Sequence, residues 1–401
     1  MHTADFIVRE PLLDAKQQVL GYELNWQQSG SDAGLPGSVA LAELIGQQLN
    51  DAEKGWLLGG TLLFLPASPA VLAADALLAL PPKNIVLALA AADLAEPATL
   101  AAVRELRAQG YGISLRNANF KVLDKGLLAL LTHIEVHFNP DDLAGQARIY
   151  GAFKQSSVRL VARGINTWQQ YDSCAMLGLD AFVGKLHLTP RVGPQPKGMN
   201  PAQTVVLQLM RMVRKNVDVR ELEAVLKRDA ALSFKLLRYI NSAGFGHGAE
   251  IQSLRHAVTL LGYAPLFRWL SLLLATASST GYSPVLMQAA VIRGRLAELA
   301  GTQALPRGES ENLFVAGLFS LLDRLLGIPM TQVLQEMQFS EGLAQALLSR
   351  EGIYGPYLAL AEACELNSAL VGSLAASLQI EAADVNQLHL SALAWSHNLQ
   401  L

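Results

Sequence analysis

Residues 85–117 read IVLALAAADLAEPATLAAVRELRAQGYGISLRN. The run IVLALA at 85–90 is short, apolar and without alternation, as a strand covered on both faces should be. The stretch that follows carries Leu100, Val103 and Leu106 at helical spacing, and Gly110 stands where a helix stops. A second apolar run, GISLRN at 112–117, then begins. Two strands joined by a helix must lie parallel, because the helix carries the chain back to the starting edge.

The same alternation extends in both directions from this unit. Apolar runs occur at FIVREPLL (6–13), TLLFLP (61–66), IEVHFN (134–139), VRLVAR (158–163) and AFVGKLHL (181–188). Helix-like stretches lie between them at 69–80, 121–132, 140–154 and 167–178, the last stopped by Gly178. The number of strand–helix units points to a closed β/α barrel.

The texture changes near residue 190. TPRVGPQPKGMNP at 189–201 holds four prolines and two glycines, which reads as a linker. Beyond it the strand signature disappears. Asp218 and Glu221 form an acidic capping box. LSFKLLRYINSA (232–243), SLRHAVTLLG (253–262), ENLFVAGLFSLLDRLLG (311–327) and SEGLAQALLSREG (340–352) carry helical periodicity, several opening on Ser and closing on Gly. About ten helices are expected. The division is therefore a barrel at 1–190, a linker at 191–201 and a helical domain at 202–401.

The bulk composition sets limits on function. The 401 residues are 51% hydrophobic and 16% charged, which excludes general disorder. A net charge of −3 gives no global basic character, so nucleic acid is not an expected partner. The N-terminus has no basic leader followed by an apolar core. The apolar stretch LFRWLSLLLATA (266–277) is interrupted by Arg268 and falls short of the roughly 20 apolar residues of a membrane helix. It reads as a core helix with Trp269 in the packing. Cys174 and Cys364 read as free thiols. A cytoplasmic protein without membrane insertion is expected.

REPLLDAKQQVLGYELNW at 9–26 resembles the start of EAL domains, β/α barrels that hydrolyse cyclic di-GMP, in the branch whose motif is Tyr-Glu-Leu-Leu. The second half resembles HDOD domains, helical relatives of HD phosphohydrolases found in bacterial signalling proteins. That likeness rests on 221–243, on IQSLRHAVTLLGY (251–263), on AGLFSLLDRLLGIPM (316–330) and on ALLSREGIYGPYLALAEACE (346–365). The two resemblances imply a TIM-like (β/α) barrel of EAL type followed by an all-helical HDOD domain, α/β plus all-α.

The EAL resemblance also implies where chemistry would sit, because such barrels react at the C-terminal ends of their strands. Two-metal hydrolysis needs several converging carboxylates. Glu23 in GYELNW matches the family's metal-binding glutamate. The other positions depart. The substrate-contacting Gln is Glu10, and the phosphate-facing Arg is Gln27. The metal-binding Asn of the next strand is Pro66. Two acids correspond to Ala88 and Ala91, and paired aspartates to Arg116 and Asn117. The Lys-x-Asp falls on His137 and Asn139, two glutamates become Arg163 and Asn166, and Gln-Gly-Tyr reads Val183, Gly184 and Lys185. Glu23 is then the one retained ligand position, and Arg116 and Arg163 place positive charge where cations would bind. The barrel is expected to be inactive, with no catalytic, cofactor or metal residues, and to bind no cyclic di-GMP.

No His-Asp dipeptide occurs, and His247, His256, His389 and His397 show no metal-ligand spacing. The leading expectation is a non-enzymatic bacterial regulator that acts as a platform for a protein partner, itself able to form a homodimer. The alternative is a sensor that holds cyclic di-GMP or another anion at the mouth through Arg116, Arg163 and Lys185. Asn241 and Ser242, in YINSAGFG, form a candidate interaction corner.

Overall fold

The computed structural model describes residues 6–27, 36–51, 55–116, 118, 120, 123, 125–153, 156–188, 200–226, 230–241, 251, 253–276, 284–337 and 339–399. The chain divides into two compact units, Met1–Arg191 and Val192–Leu401.

The first unit is a closed barrel of eight strands in sequence order. They are β1 (Ile7–Leu13), β2 (Val19–Trp26), β3 (Leu62–Pro66), β4 (Ile85–Ala90), β5 (Gly112–Arg116), β6 (His133–His137), β7 (Arg159–Arg163) and β8 (Ala181–Val183). Between them run α1 (Pro36–Leu49), α2 (Pro69–Leu72), α3 (Pro97–Gln109), α4 (Lys125–Leu130), α5 (Leu143–Phe153) and α6 (Trp168–Met176). α3 opens on a proline and closes on Gly110 at φ 104°, a conformation in which a side chain would be strained. α6 opens on a capping box in which Thr167 accepts from the Gln170 backbone.

One strand departs from the all-parallel expectation. β1 runs antiparallel to both of its neighbours, β2 and β8, while β2 through β8 pair in parallel. The reason lies in the connection, residues 14–18. Asp14 Oδ1 accepts from the backbone N–H of Lys16 at 2.7 Å and of Gln18 at 2.8 Å, which closes a tight turn. A link that short has no room for a crossover helix, so the two strands form a hairpin.

Side chains alternate across each strand. That alternation gathers Leu12, Phe64, Val86, Val161, Ala181 and Val183 into one buried cluster. His133 packs edge-on against Phe64, with ring centroids 4.9 Å apart. The same parity sends Glu10, Glu23, Ser114, Arg116, Glu135 and Arg163 to the interior.

The second unit has thirteen helices among the described residues, where periodicity predicts about ten. They are α7 (Pro201–Arg214), α8 (Val219–Leu226), α9 (Ala230–Ile240), α10 (Leu254–Leu261), α11 (Tyr263–Thr276), α12 (Pro284–Gly301), α13 (Arg307–Phe319), α14 (Leu322–Leu326), α15 (Met330–Met337), α16 (Glu341–Ser349), α17 (Gly355–Leu366), α18 (Val371–Ser377) and α19 (Ala382–Asn398). Part of the surplus comes from the break between α13 and α14. There Ser320 Oγ donates to the Gly317 carbonyl at 2.6 Å and accepts from Arg293 at 2.8 Å, a break that apolar periodicity does not reveal.

α12 is the central helix, buried along most of its length. It meets α13 where two glycines face each other, and a Cβ on Gly317 would lie 2.4 Å from Gly294 Cα. α11 contributes Trp269, fully buried as the sequence predicts. No helix among the described residues is long and apolar enough to cross a membrane.

Candidate functional site

The C-terminal ends of the barrel strands converge on a four-residue ion-pair cluster. Glu23 from β2 and Glu135 from β6 are buried, and Arg116 and Arg163 reach them from the ends of β5 and β7. Arg116 donates through Nη2 to Glu23 Oε1 at 2.7 Å and through Nε to Glu135 Oε2 at 3.1 Å. Arg163 Nη1 donates to Glu23 Oε2 at 2.5 Å and to Glu135 Oε2 at 2.7 Å, while Nη2 reaches Glu23 Oε1 at 3.0 Å. Ser114 Oγ completes the shell of Glu135 with a 2.9 Å bond to Oε1. Each carboxylate therefore accepts three hydrogen bonds, and two negative charges face two positive ones.

The electrostatics follow from that balance. Burial alone would depress the basicity of Arg163, but Glu23 and Glu135 outweigh it and hold the guanidinium above its ordinary range. Glu10, which lies opposite Glu23 in the β1–β2 register, responds the other way. Burial pushes its carboxyl above the usual carboxylate range, and Glu23 adds to that, against a lowering pull from Arg163 and Lys185. Glu10 and Lys185 thus extend the field of the four-residue cluster at the mouth.

The structure brings Arg116 and Arg163 together, as the barrel register predicts, and turns both toward carboxylates. Lys185 stands at the rim, where its backbone N–H donates to Asn166 Oδ1 at 3.2 Å. Glu23 is 4% exposed and accepts three hydrogen bonds, so it is buried and fully paired rather than solvated. Glu135 and Ser114 were missed by the sequence comparison, which followed ligand positions only. The signal was present: an acid inside the apolar run IEVHFN, in phase with His137.

Most other mouth positions are structural. Pro66 ends β3, Ala88 is buried in β4 and His137 is exposed at the end of β6. Asn139 caps a turn by accepting from Asp141 N at 3.0 Å. Gly184 sits where an added Cβ would come within 2.2 Å of the Ile165 carbonyl. Asn117, Ser242, His247 and most of the linker lie outside the described residues. Asn241 staples its corner, with Nδ2 donating to the Ile251 carbonyl at 2.7 Å and Oδ1 accepting from Ile251 N at 2.8 Å. Among the described residues, no three His, Cys, Asp or Glu side chains come together as a metal site.

Comparison with known proteins completes the picture. The HDOD domain family matches residues 199–374. The chain is 25% identical over 401 residues to the cyclic di-GMP phosphodiesterase CdgJ of Vibrio cholerae, covering 98% of this chain and 93% of that protein. It is 23% identical over 404 residues to the uncharacterized protein YuxH of Bacillus subtilis, covering 98% of each. Solved structures similar to the chain include the PaMucR phosphodiesterase bound to c-di-GMP, at 20% identity and a TM-score of 0.38, covering 46% of this chain and 90% of that one. The EAL domain of Mycobacterium smegmatis DcpA matches at 15% identity and a TM-score of 0.37, covering 45% of this chain and 90% of that one. The chain carries a closed eight-stranded barrel followed by a helical unit that contains the residues matched by the HDOD domain family.

Proposed function

We propose that this chain is a non-enzymatic cytoplasmic regulator, in which the barrel is a structural and recognition module and the working output is contact with a protein partner. The observation that carries the reading is the pairing of Glu23 and Glu135 with Arg116 and Arg163. A divalent ion reaching either carboxylate would have to displace two guanidiniums that already satisfy it. It would also enter beside the fixed positive charges those guanidiniums carry. At 4 Å a divalent ion and one guanidinium repel by about 8 kcal/mol even at an effective dielectric near 20, so the cluster opposes the metal it would need.

The name of the CdgJ relative argues the other way, since that protein is a phosphodiesterase. At 25% identity the two chains can share a fold while differing at the strand ends, and activity resides in the site rather than the fold. The same cluster weighs against the sensor alternative, because an anionic nucleotide at the mouth would compete with two buried carboxylates for Arg116 and Arg163.

The direct test is incubation of the purified chain with cyclic di-GMP and Mg²⁺ or Mn²⁺, with chromatographic detection of the linear dinucleotide. No turnover above the protein-free blank is expected. Sustained turnover that disappears in Glu23→Gln would overturn the proposal. Calorimetric titration with cyclic di-GMP separates the sensor: saturable binding lost in Arg163→Gln would establish it.

A further inference from the structure

Among the described residues, three clusters of partly buried arginine ion pairs differ in charge balance. At the barrel mouth Arg116 and Arg163 meet Glu23 and Glu135. In the helical unit Arg293 and Arg350 meet Glu362 and Glu365, again two against two. The third cluster is different. Glu298 on α12 accepts from both terminal nitrogens of Arg268 on α11, the Nη2 bond being 2.9 Å, and from Arg295 Nη1 at 2.7 Å. One carboxylate serves two guanidiniums. Arg295 spends one of its five N–H donors there.

These two arginines line a cavity of about 510 Å³ within the helical unit. Five aromatic rings stand on its walls, Tyr263, Phe267, Trp269, Phe339 and Trp395, and the acid Glu311 lies among them. Both guanidiniums lie 5.2 Å from the ring of Trp395, and Arg268 also covers Phe314 at 3.9 Å. Arg214, beside the ring of Phe339, and Arg307 stand on the lining as well. The Arg307 side chain is 93% exposed and paired with Glu311 at 3.2 Å.

A structural ion pair matches its charges, because an unmatched buried cation is costly. An excess cation beside an aromatic cavity gains from an anion that also presents a flat ring. Guanidiniums bind phosphate oxygens through paired N–H donors, and a heteroaromatic base stacks on indole, phenyl and guanidinium faces. The volume falls within the range of about 300–1,000 Å³ that small-molecule sites occupy. Burial pulls Arg268 below the ordinary arginine range, with Arg295 adding to it, against the raising pull of Glu298 and Glu311.

We propose that the cavity bounded by Arg268, Arg295, Arg307 and Trp395 is a nucleotide site, taking the phosphate on the arginines and the base against the aromatic wall. The site lies wholly in the helical unit and is independent of the barrel mouth, so it stands whether or not the barrel is silent.

Isothermal titration of the full chain with GMP and AMP, alongside guanosine and inorganic phosphate, tests it. At least one nucleotide should saturate in the micromolar range. Guanosine and phosphate alone should bind about tenfold or more weaker, because each engages half of the site. Arg295→Gln and Arg307→Glu should each weaken the nucleotide by about tenfold, while Arg255→Ala, on an exposed side chain away from the cavity, should leave it unchanged. Arg307→Glu alters an exposed rim residue and decides the matter even if Arg295→Gln fails to fold. The proposal is overturned if neither nucleotide saturates up to about 1 mM, a binding free energy near 4 kcal/mol. It is equally overturned if a saturable nucleotide is indifferent to Arg307→Glu.

Discussion

Arg163 grips Glu23 with both ends of its guanidinium, Nη1 to Oε2 at 2.5 Å and Nη2 to Oε1 at 3.0 Å, across 140 residues of sequence. The same Nη1 also reaches Glu135. Replacing Arg163 by methionine keeps much of the volume but strands buried carboxylates against a single remaining guanidinium. Such a loss typically costs about 3–5 kcal/mol. Urea denaturation of Arg163→Met should show a fall of that order. Adding Glu135→Gln should recover part of it, since the second change removes one uncompensated charge. Strictly additive losses would show that the four side chains do not act as a unit.

The contact between Gly294 and Gly317 makes a separate prediction for the helical unit. An alanine at 294 would put its Cβ 2.6 Å from the Phe314 carbonyl, which is backbone and cannot rotate aside. Gly294→Ala should therefore destabilise the protein by about 1–3 kcal/mol, despite alanine's better helix propensity. Gly308→Ala, where nothing lies within 4 Å of the added carbon, is the matched control and should be neutral or slightly stabilising. A loss of stability in the control alone would refute the close-packing account.

His133 supplies a pH prediction. Burial, with Arg159 and Arg107 adding to it, lowers this imidazole from the usual 6.5 to about 4. The folded chain keeps it neutral while the unfolded chain takes up a proton below about 6.5. Stability from this group is therefore complete at neutral pH and drains away as pH falls from about 6.5 to about 4. The full effect is about 3 kcal/mol. Denaturant midpoints measured at pH 7 and pH 4.5 should diverge less in His133→Phe than in the parent chain. Equal divergence would remove His133 as the cause.

Both cysteines are buried thiols, and burial raises the Cys174 thiol to about 12. At pH 8 the native chain should react with a disulfide reagent far more slowly than the unfolded chain, which should titrate two thiols. Rapid native labelling at Cys174 would contradict its burial in α6.

Much of this architecture was legible in the sequence because barrel strands and amphipathic helices leave periodic traces. IVLALA, GISLRN and VRLVAR announce themselves by composition, and Gly110 and Gly178 mark helix ends by stereochemistry. The antiparallel start was not legible from periodicity, since the direction of β1 is set by the Asp14 turn and not by its side chains. Nor was the counter-charge of the site. Glu135 lies 112 residues from Glu23, and only barrel closure shows that one arginine can hold both. The arginines read from sequence as stray positive charge prove to be half of a balanced cluster. The third arginine cluster was equally hidden, because Arg268, Glu298 and Arg295 meet across two helices and Trp395 arrives from a third.

The hairpin that opens the chain has a kinetic consequence. β1 pairs with β2 at once, yet its other edge waits for Leu12 to meet Val183, and 183 − 12 leaves 171 residues of separation. During synthesis at roughly 5–20 residues per second, that edge stays unpaired for on the order of ten seconds or more. The last strand to leave the ribosome, only three residues long, is the one that seals the ring. Truncation just before Ala181 should therefore yield an open sheet with two sticky borders, prone to association with its own copies.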